Sequence, residues 1–357
     1  MKIYIKFIST VFFKSLVFVF LIMISLVFIL NLLSELEFLK NENVGLSFTL
    51  FLSLLNSPVQ IFELFPFILL ITIQLFFIKF FENKEIDILK YSGLKNSRII
   101  YILSILSIIT GLFVVTVFYN LSSNLKNIYL EIKSKYTSDG KYLAVITKNG
   151  LWIKDIIDNK TLIINASTVN QNFLNNIFIT EFDENHNVMR NIKSTKANIS
   201  KNEWEIIDAK VYEKNEYTNN KLLYLKTNFN LKKIQSLFSN LSALNFIELY
   251  ELKENYKKLN YSTTEVDIYL LKLISYPLYL LLITLFSSVI MLSLKQLKGT
   301  TLKILIGLFF SVIIYYLNNF SYVLGSTERI SIIFAIFIPL FILFTINFSM
   351  LYRVNEK

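Results

Sequence analysis

Carboxylate and histidine side chains in the middle of the chain are the first candidates for chemistry. Two carboxylates in one pocket could act as general acid and base, and Asp155, Glu181 and Asp183 lie within a short stretch. Their spacing does not place two of them in one pocket, so we expect them at solvated strand edges. His186 is the only histidine and there is no cysteine to share a metal with it. We therefore predict no catalytic site, no metal site and no cofactor.

The segment 82–93 has the pattern of a short amphipathic helix. Ile86 and Leu89 stand at i and i+3 and form a small apolar face, whereas Glu85 belongs to a charged one. Gly93 occupies the position at which a glycine commonly ends a helix. Such a helix either anchors a turn at the membrane surface or docks a partner protein. The spacing alone leaves both interpretations open.

Three other side chains are candidates for contact with an anionic or amphiphilic substrate. Lys272 lies at the start of an apolar run, shortly before Pro277, where its ammonium could pair with a phosphate. Lysines near helix ends also commonly extend to the membrane interface, and Arg329 has the same two interpretations. Trp152 is expected in the core or rim of a β-domain, where it would line a bound acyl chain if the domain held one.

Long apolar runs must position these residues. The chain is 54% hydrophobic and 17% charged, compared with roughly 45–50% and 25% in ordinary soluble domains. A helix needs about 20 apolar residues to cross the hydrocarbon core of a bilayer. Six runs meet this length: 12–33, 59–81, 99–121, 270–294, 302–324 and 330–351. The sequence therefore predicts a membrane α-helical bundle of six transmembrane helices, three before and three after a long insert.

The positive charges indicate the orientation of this bundle. Lysine and arginine are concentrated at the amino terminus, in 82–98, around 295–303 and at the carboxyl terminus, and these regions all fall on one side of the membrane. Both termini are therefore predicted to be cytoplasmic, and the insert is predicted to be exported. The net charge of +10 lies mostly beside apolar runs, which is typical of membrane topology rather than of a nucleic-acid-binding surface.

The insert has the pattern of an all-β domain. Alternating segments separated by turn-forming residues favour hairpins over crossover helices, and an open barrel or jelly roll is the expected result. A short amphipathic helix at 244–259 follows and returns the chain to the membrane. The predicted strands are 142–147, 151–155, 161–169, 173–182, 188–199, 204–212 and 222–229. The predicted domains are helices one to three in 1–121, a periplasmic β-jelly-roll-like domain with its return helix in 122–269, and helices four to six in 270–357.

Polar residues inside the predicted spans are assigned structural roles. Gln74, Asn318 and Asn319 are expected to hydrogen-bond to neighbouring helices, because polar groups in hydrocarbon need partners. Ser57 and Pro58 have the pattern of an N-cap and first helical residue, which would start the second span there.

Several motifs resemble one family of lipid transporters. The run Glu85-Ile86-Asp87-Ile88-Leu89-Lys90-Tyr91-Ser92-Gly93 resembles the S/K-E-hydrophobic-x-x-hydrophobic-x-x-S-G stretch of the lipopolysaccharide-export permeases LptF and LptG. Glu63-Leu64-Phe65-Pro66 resembles a stretch of their second span. Gly150-Leu151-Trp152-Ile153-Lys154-Asp155 resembles a G-L-W-x-K/R-D strand of LptG, which favours that type over its paralogue LptF. The motifs occur in the family's order over nearly the whole chain.

This resemblance implies a permease subunit of an ABC exporter in the inner membrane of a Gram-negative bacterium. Its implied partners are an LptF-like permease subunit, an LptB-like ATPase dimer, an LptC-like periplasmic bridge protein and the lipopolysaccharide that is transported. Glu85, Ile86, Leu89 and Gly93 would belong to the helix that couples the permease to the ATPase. Hydrolysis would occur on that separate subunit, and the chain itself has no G-x-x-x-x-G-K-[ST] loop.

Other functions remain open at this point. The chain could be the LptF paralogue, a permease for another lipid, or a membrane sensor whose β-domain binds a ligand. A sensor needs an output domain, whereas the longest predicted inner loop is only 82–98. Departures from the family pattern also occur: 326–330 has no proline, and the outer end of the first span carries Asn31, Glu35 and Glu37 rather than basic residues.

Overall fold

The computed structural model describes residues 3–40, 44–134, 136, 151–157, 159–170, 172–185, 187–213, 216–231, 234, 240–258, 262–293 and 299–355. The chain divides into two compact units. Residues 1–126 and 264–357 form the helical unit, and residues 127–263 form the β-unit.

Six helices among the described residues are long and apolar enough to cross a membrane, as the sequence predicts. The helices of the first half are α1 (Ile3–Phe38), α2 (Leu46–Glu82), the short α3 (Glu85–Tyr91), α4 (Asn96–Phe113) and α5 (Tyr119–Ser134). A short π-helix at Val114–Phe118 joins α4 to α5, so that they form one continuous helix. After the β-unit come α7 (Thr264–Ser293), α8 (Thr300–Ser326) and α9 (Ile332–Asn355), and α6 (Phe246–Lys258) precedes them.

The helices extend beyond the predicted spans, because polar residues that end an apolar run do not end a helix. The clearest case is α2, whose 37 residues span about 55 Å at 1.5 Å per residue. The expectation that the second span begins at Ser57 and Pro58 is wrong, since both lie inside α2. Ser57 donates its hydroxyl to the Ser53 carbonyl at 2.6 Å instead of capping a helix.

The centre of the helical unit is the packing of α2 and α7. The Tyr276 hydroxyl of α7 donates to the Phe62 carbonyl of α2 at 2.8 Å, and the two rings stack with centroids 4.9 Å apart. Three helical turns further along α7, the Ser287 hydroxyl donates to the Leu70 carbonyl at 3.2 Å. These contacts join the first and last thirds of the chain, because α2 precedes the β-unit and α7 follows it.

The described strands of the β-unit form one antiparallel sheet. Its strands are β1 (Leu151–Ile157), β2 (Lys160–Asn170), β3 (Phe173–Phe182), β4 (Val188–Asn198), β5 (Glu203–Glu213) and β6 (Glu216–Lys226), and they pair in sequence order. One face is buried and apolar, with Ile153 paired to Ile164 and Ile164 to Ile179. The prediction of a membrane helical bundle with an inserted all-β domain is therefore confirmed.

The predicted strands match those of the sheet to within a few residues, with one larger difference. Segment 142–147 lies outside the described residues. The last strand begins at Glu216 rather than at 222, because its first half is polar and exposed and lacks an alternating pattern. The predicted return helix is also present, as α6.

Two buried carboxylates bind polar partners within the β-unit. Asp155 of β1 accepts hydrogen bonds from the backbone and side-chain amides of Asn228, each at 2.8 Å, so the first strand is tied to the segment after the last. Glu181 forms ion pairs with Lys160 at 3.2 Å and with Arg190. The expectation that these carboxylates lie at solvated strand edges is wrong, since Asp155 is 0% and Glu181 4% exposed. Each faces inward with polar partners that offset its desolvation.

The strand pairing is interrupted in the middle of the sheet. Asn176 of β3 and Asp208 of β5 adopt left-handed backbone conformations, with φ of 49° and 50°. Between them, the Ser194 hydroxyl of β4 accepts from the Lys196 backbone amide at 3.1 Å and donates to the Ile207 carbonyl. Asn and Asp tolerate this backbone region better than other residues with a side chain, which suits them to these irregular positions.

The packing of α4 against α7 in the helical unit can be tested by substitution. A Cβ atom at Gly111 would lie 2.9 Å from the Pro277 Cα, so we expect Gly111→Ala to lower the free energy of unfolding by about 1–3 kcal/mol. Gly45→Ala is the matched control, because the nearest atom to a Cβ at that position is the Ser47 hydroxyl oxygen, at an ordinary contact distance of 3.7 Å. Thermal unfolding in detergent measures both. Equal midpoints for the two variants would contradict the close approach of these helices.

Candidate functional site

The predicted coupling segment forms a short, well-terminated helix, α3. Gly93 has a φ of 83°, and the Leu94 backbone amide donates to the Leu89 carbonyl at 2.9 Å. This hydrogen bond, together with a left-handed residue at C′, defines a Schellman motif. The prediction that Gly93 ends the helix is therefore confirmed.

The face that α3 exposes differs from the predicted apolar face. Ile86 is 1% exposed and Leu89 is half-buried, so the predicted pair contacts the rest of the protein. Ile88 and Tyr91, also at i and i+3, are 60% and 92% exposed. Sequence spacing identifies both stripes, but only tertiary packing decides which of them is covered. Ile88 and Tyr91 are thus the apolar side chains available to a partner.

Glu85 stands at the first position of α3 with one oxygen unsatisfied. Its Oε1 accepts from the Asn83 side-chain amide at 3.2 Å. Its Oε2 is buried and has no hydrogen-bond partner among the described residues. Because an unsatisfied buried acceptor is costly, a cationic or hydrogen-bonding group brought to this helix would gain by reaching it.

Lys272 lines a second candidate site, a polar cavity of about 190 Å³ in the helical unit. Its ammonium lies 5.2 Å from the centre of the Tyr322 ring, within the range of a cation–π contact. Helices α2, α7, α8 and α9 supply the walls. The lining residues are Phe62, Glu63, Pro66, Tyr269, Lys272, Leu273, Ser275, Tyr276, Tyr279, Tyr315, Asn318, Asn319, Tyr322, Ile336 and Leu340.

The other two candidate substrate contacts do not join this cavity. Arg329 is exposed in the α8–α9 hairpin, where its backbone amide donates to the Leu324 carbonyl at 3.0 Å. The preceding Glu328 takes the left-handed position, with φ of 59°, so the hairpin closes without proline or glycine there. Trp152 belongs to the β-unit and is 56% exposed, on the face opposite Leu151 and Ile153. It is Trp204 that is fully buried, donating to the Phe229 carbonyl at 2.8 Å.

The polar residues of the spans behave differently from one another. Asn318 and Asn319 line the Lys272 cavity. Gln74 is fully buried against Gly307, and both polar atoms of its amide lack hydrogen-bond partners in the described part of the chain, so its predicted interhelical bond is wrong. Its close approach to a glycine backbone leaves no room for a partner side chain.

Sequence reasoning missed a polar network between α1, α2 and α5. The Asn31 side-chain oxygen accepts from Asn56 at 3.2 Å and from Gln60 at 2.8 Å, and its amide donates to Ser57 at 3.0 Å. Lys126 in turn donates to the Asn56 oxygen at 2.5 Å. The regular spacing of Asn56, Ser57 and Gln60 on one helix was a signal, but their common partner lies on another helix. The network positions the helices rather than forming a site.

The described residues contain no group of three or more His, Asp or Glu side chains that could hold a metal ion. His186 lies outside those residues. The candidate sites are therefore a partner-binding surface on α3 and a ligand-binding cavity at Lys272.

Comparison with known proteins identifies the family of the chain. The family described as lipopolysaccharide export system permease LptF/LptG matches residues 6–353, which include both halves of the helical unit and the β-unit. No curated protein matches the chain significantly. With six described helices that are long and apolar enough to cross a membrane, an inserted antiparallel sheet and a match over nearly its whole length, the chain belongs to the LptF/LptG family of lipopolysaccharide export permeases.

Proposed function

We propose that the chain is one permease subunit, of the LptG type, in an ABC exporter that extracts lipopolysaccharide from the inner membrane. The observation that carries this proposal is the capped helix α3, whose exposed Ile88 and Tyr91 stand beside the unsatisfied Glu85 carboxylate. A short helix that exposes an aromatic anchor and an acceptor suits docking into a groove on a partner. Leu151 and Trp152, from the G-L-W run, support the LptG type over LptF.

The partner at α3 is an LptB-like ATPase dimer. The chain carries no phosphate-binding loop of its own, so the work of extraction must come from another subunit. α3 directly follows α2, the helix that packs on α7 at the centre of the bundle. Movement of the ATPase is thereby passed to α2. An LptF-like subunit supplies the opposite half of the exporter.

The lipid passes from the helices to the β-unit. Lys272 binds a lipid phosphate in its polar cavity, and Arg329 adds a second positive charge at the hairpin. The apolar inner face of the sheet accepts acyl chains, so water does not have to wet them. An edge of the sheet pairs with an LptC-like bridge protein by strand addition. Trp152, on the outer face, contacts saccharide or protein rather than acyl chains.

Substitutions on α3 test the docking role. We expect the double variant Ile88→Ala, Tyr91→Ala to retain the ATPase at least about tenfold more weakly than the wild type, since a few exposed anchors dominate most interfaces. Glu85→Gln should weaken retention less and lower the coupling of hydrolysis to export. Quantitative mass spectrometry of the affinity-purified complex measures retention.

Tyr352→Ala is the matched control for this experiment. Tyr352 is a 67% exposed tyrosine near the end of α9, on the same predicted cytoplasmic side, and its loss should leave retention unchanged. If the α3 double variant retained as much ATPase as this control, α3 would not be the docking helix.

Orientation is tested with single cysteines, because the chain has none of its own. Ser92 follows α3 and Ser200 lies in the β4–β5 turn, and both are exposed. We expect Ser200→Cys to react with a membrane-impermeant maleimide in cells with a permeabilised outer membrane. Ser92→Cys should react only after the inner membrane is opened. The reverse pattern would place the β-unit in the cytoplasm.

A further inference from the structure

A second, apolar cavity adjoins the Lys272 cavity. Tyr279 of α7 and Asn318 of α8 line both. The second cavity has a volume of about 260 Å³ and lies between α7, α8 and α9. The two together form a cleft with one polar and one apolar end.

The apolar end suits a hydrocarbon chain. Apart from Tyr279 and Asn318, its walls are apolar side chains such as Phe286, Phe310, Ile346 and Met350. An apolar cavity of roughly 150 Å³ already stays dry and takes up a benzene-sized molecule, and this one is larger. Within membrane-spanning helices, the apolar molecule at high concentration is a lipid acyl chain.

The polar end contains one charge of each sign. Lys272 and Glu63 both line it, and they are close enough to attract each other. Neither forms an ion pair within the described part of the chain. A headgroup with a phosphate and an ammonium would satisfy both charges, whereas a purely anionic headgroup would satisfy Lys272 and face repulsion from Glu63.

The lengths of the two cavities fit a phospholipid whose headgroup lies at the polar end and whose acyl chain lies at the apolar end. Lys272 and Tyr279 lie two helical turns apart on α7, or about 10 Å. From Pro339 to Met350, α9 lines the apolar cavity over a further length of about 16 Å. The cleft thus runs from charged groups near the α8–α9 hairpin towards the opposite end of the bundle.

We propose that this cleft holds a resident phosphoethanolamine-headed phospholipid of the membrane, with its phosphate at Lys272, its ammonium at Glu63 and one acyl chain between α8 and α9. The inference rests on the proposed role of Lys272 as a lipid-phosphate ligand. It goes beyond that role by assigning the headgroup class, the second charged residue and the place of the acyl chain. The phospholipid occupies the resting subunit and covers part of α8. Only 17% of the most apolar stretch of this helix is buried within the protein.

The test is lipid retention by the intact complex. The complex is equilibrated in nanodiscs of equal phosphatidylethanolamine and phosphatidylglycerol, transferred to mild detergent, and analysed by native mass spectrometry. We expect one retained phosphatidylethanolamine, roughly tenfold preferred over phosphatidylglycerol. Glu63→Gln should abolish the preference, and Lys272→Gln should lower retention of both lipids.

A matched pair of substitutions on α9 tests the apolar end of the cleft. Ile346 lines the cavity and is 41% exposed, whereas Phe344 on the same helix is 51% exposed and does not line it. Ile346→Trp should remove the retained lipid, and Phe344→Trp should not. Ile346→Phe, a smaller change, should give partial loss if the tryptophan variant unfolds.

Retention that is unchanged in Ile346→Trp, Ile346→Phe and Lys272→Gln would overturn the proposal, since the lipid would then be bound elsewhere on the surface. Retention of lipopolysaccharide in place of phosphatidylethanolamine, when both are supplied, would also overturn it and assign the cleft to the transported lipid. Lipopolysaccharide export by the wild-type complex is measured separately. A wild-type complex that does not export lipopolysaccharide would contradict the proposed function. A complex that exports lipopolysaccharide but retains no phosphatidylethanolamine would overturn only the resident-lipid proposal.

Discussion

The contact between α2 and α7 is the constraint on which the rest of the molecule depends. It joins two helices that the whole β-unit separates in sequence, through a tyrosine hydroxyl on a backbone carbonyl and a stacked aromatic pair. In a membrane there is little hydrophobic drive for helices to associate, so close packing and interhelical hydrogen bonds must hold them together. Gly111 adds to this by allowing α4 to approach Pro277 of α7. Both candidate sites are attached to this central pair.

The location of the two sites on α2 and α7 suggests how they communicate. α2 carries Glu63 on the wall of the polar cavity and ends at Glu82, immediately before α3. α7 carries Lys272 on another wall of the same cavity. A displacement of α3 by a bound ATPase would therefore act on α2, the helix that carries Glu63. In the proposed exporter, this arrangement couples nucleotide-driven movement of the ATPase to the binding of a lipid headgroup.

Much of the architecture could be predicted because membrane spans and β-strands leave strong periodic patterns. The six spans and the strands from β1 to β5 follow directly from apolar run length and alternation. β6 was harder, since a polar strand at the sheet edge has no buried face to mark it. The inward carboxylate of Asp155 was missed because its partner, Asn228, lies far away in the sequence.

The site residues were predictable in kind but not in orientation. Gly93 could be predicted to end α3, because the preference for glycine at the C′ position depends only on the local backbone conformation. Ile86 and Leu89 form one of two similar apolar stripes on the seven-residue helix α3, and only the neighbours of the helix decide which stripe is covered. The position of Glu63 on the wall of the Lys272 cavity was missed for the same reason, since that cavity exists only after α2 and α7 have packed.

The central claim is that this chain is half of an ATP-driven lipid extractor, and reconstituted transport tests it most directly. The chain would be placed in vesicles with its LptF-like partner, its ATPase and lipopolysaccharide, and transfer of lipid to a soluble LptC-like domain would be followed by photo-crosslinking. The account predicts crosslinked lipid only when ATP is supplied, and much less of it with the α3 double variant. Transfer at the same rate without ATP, or hydrolysis with no transfer, would contradict it.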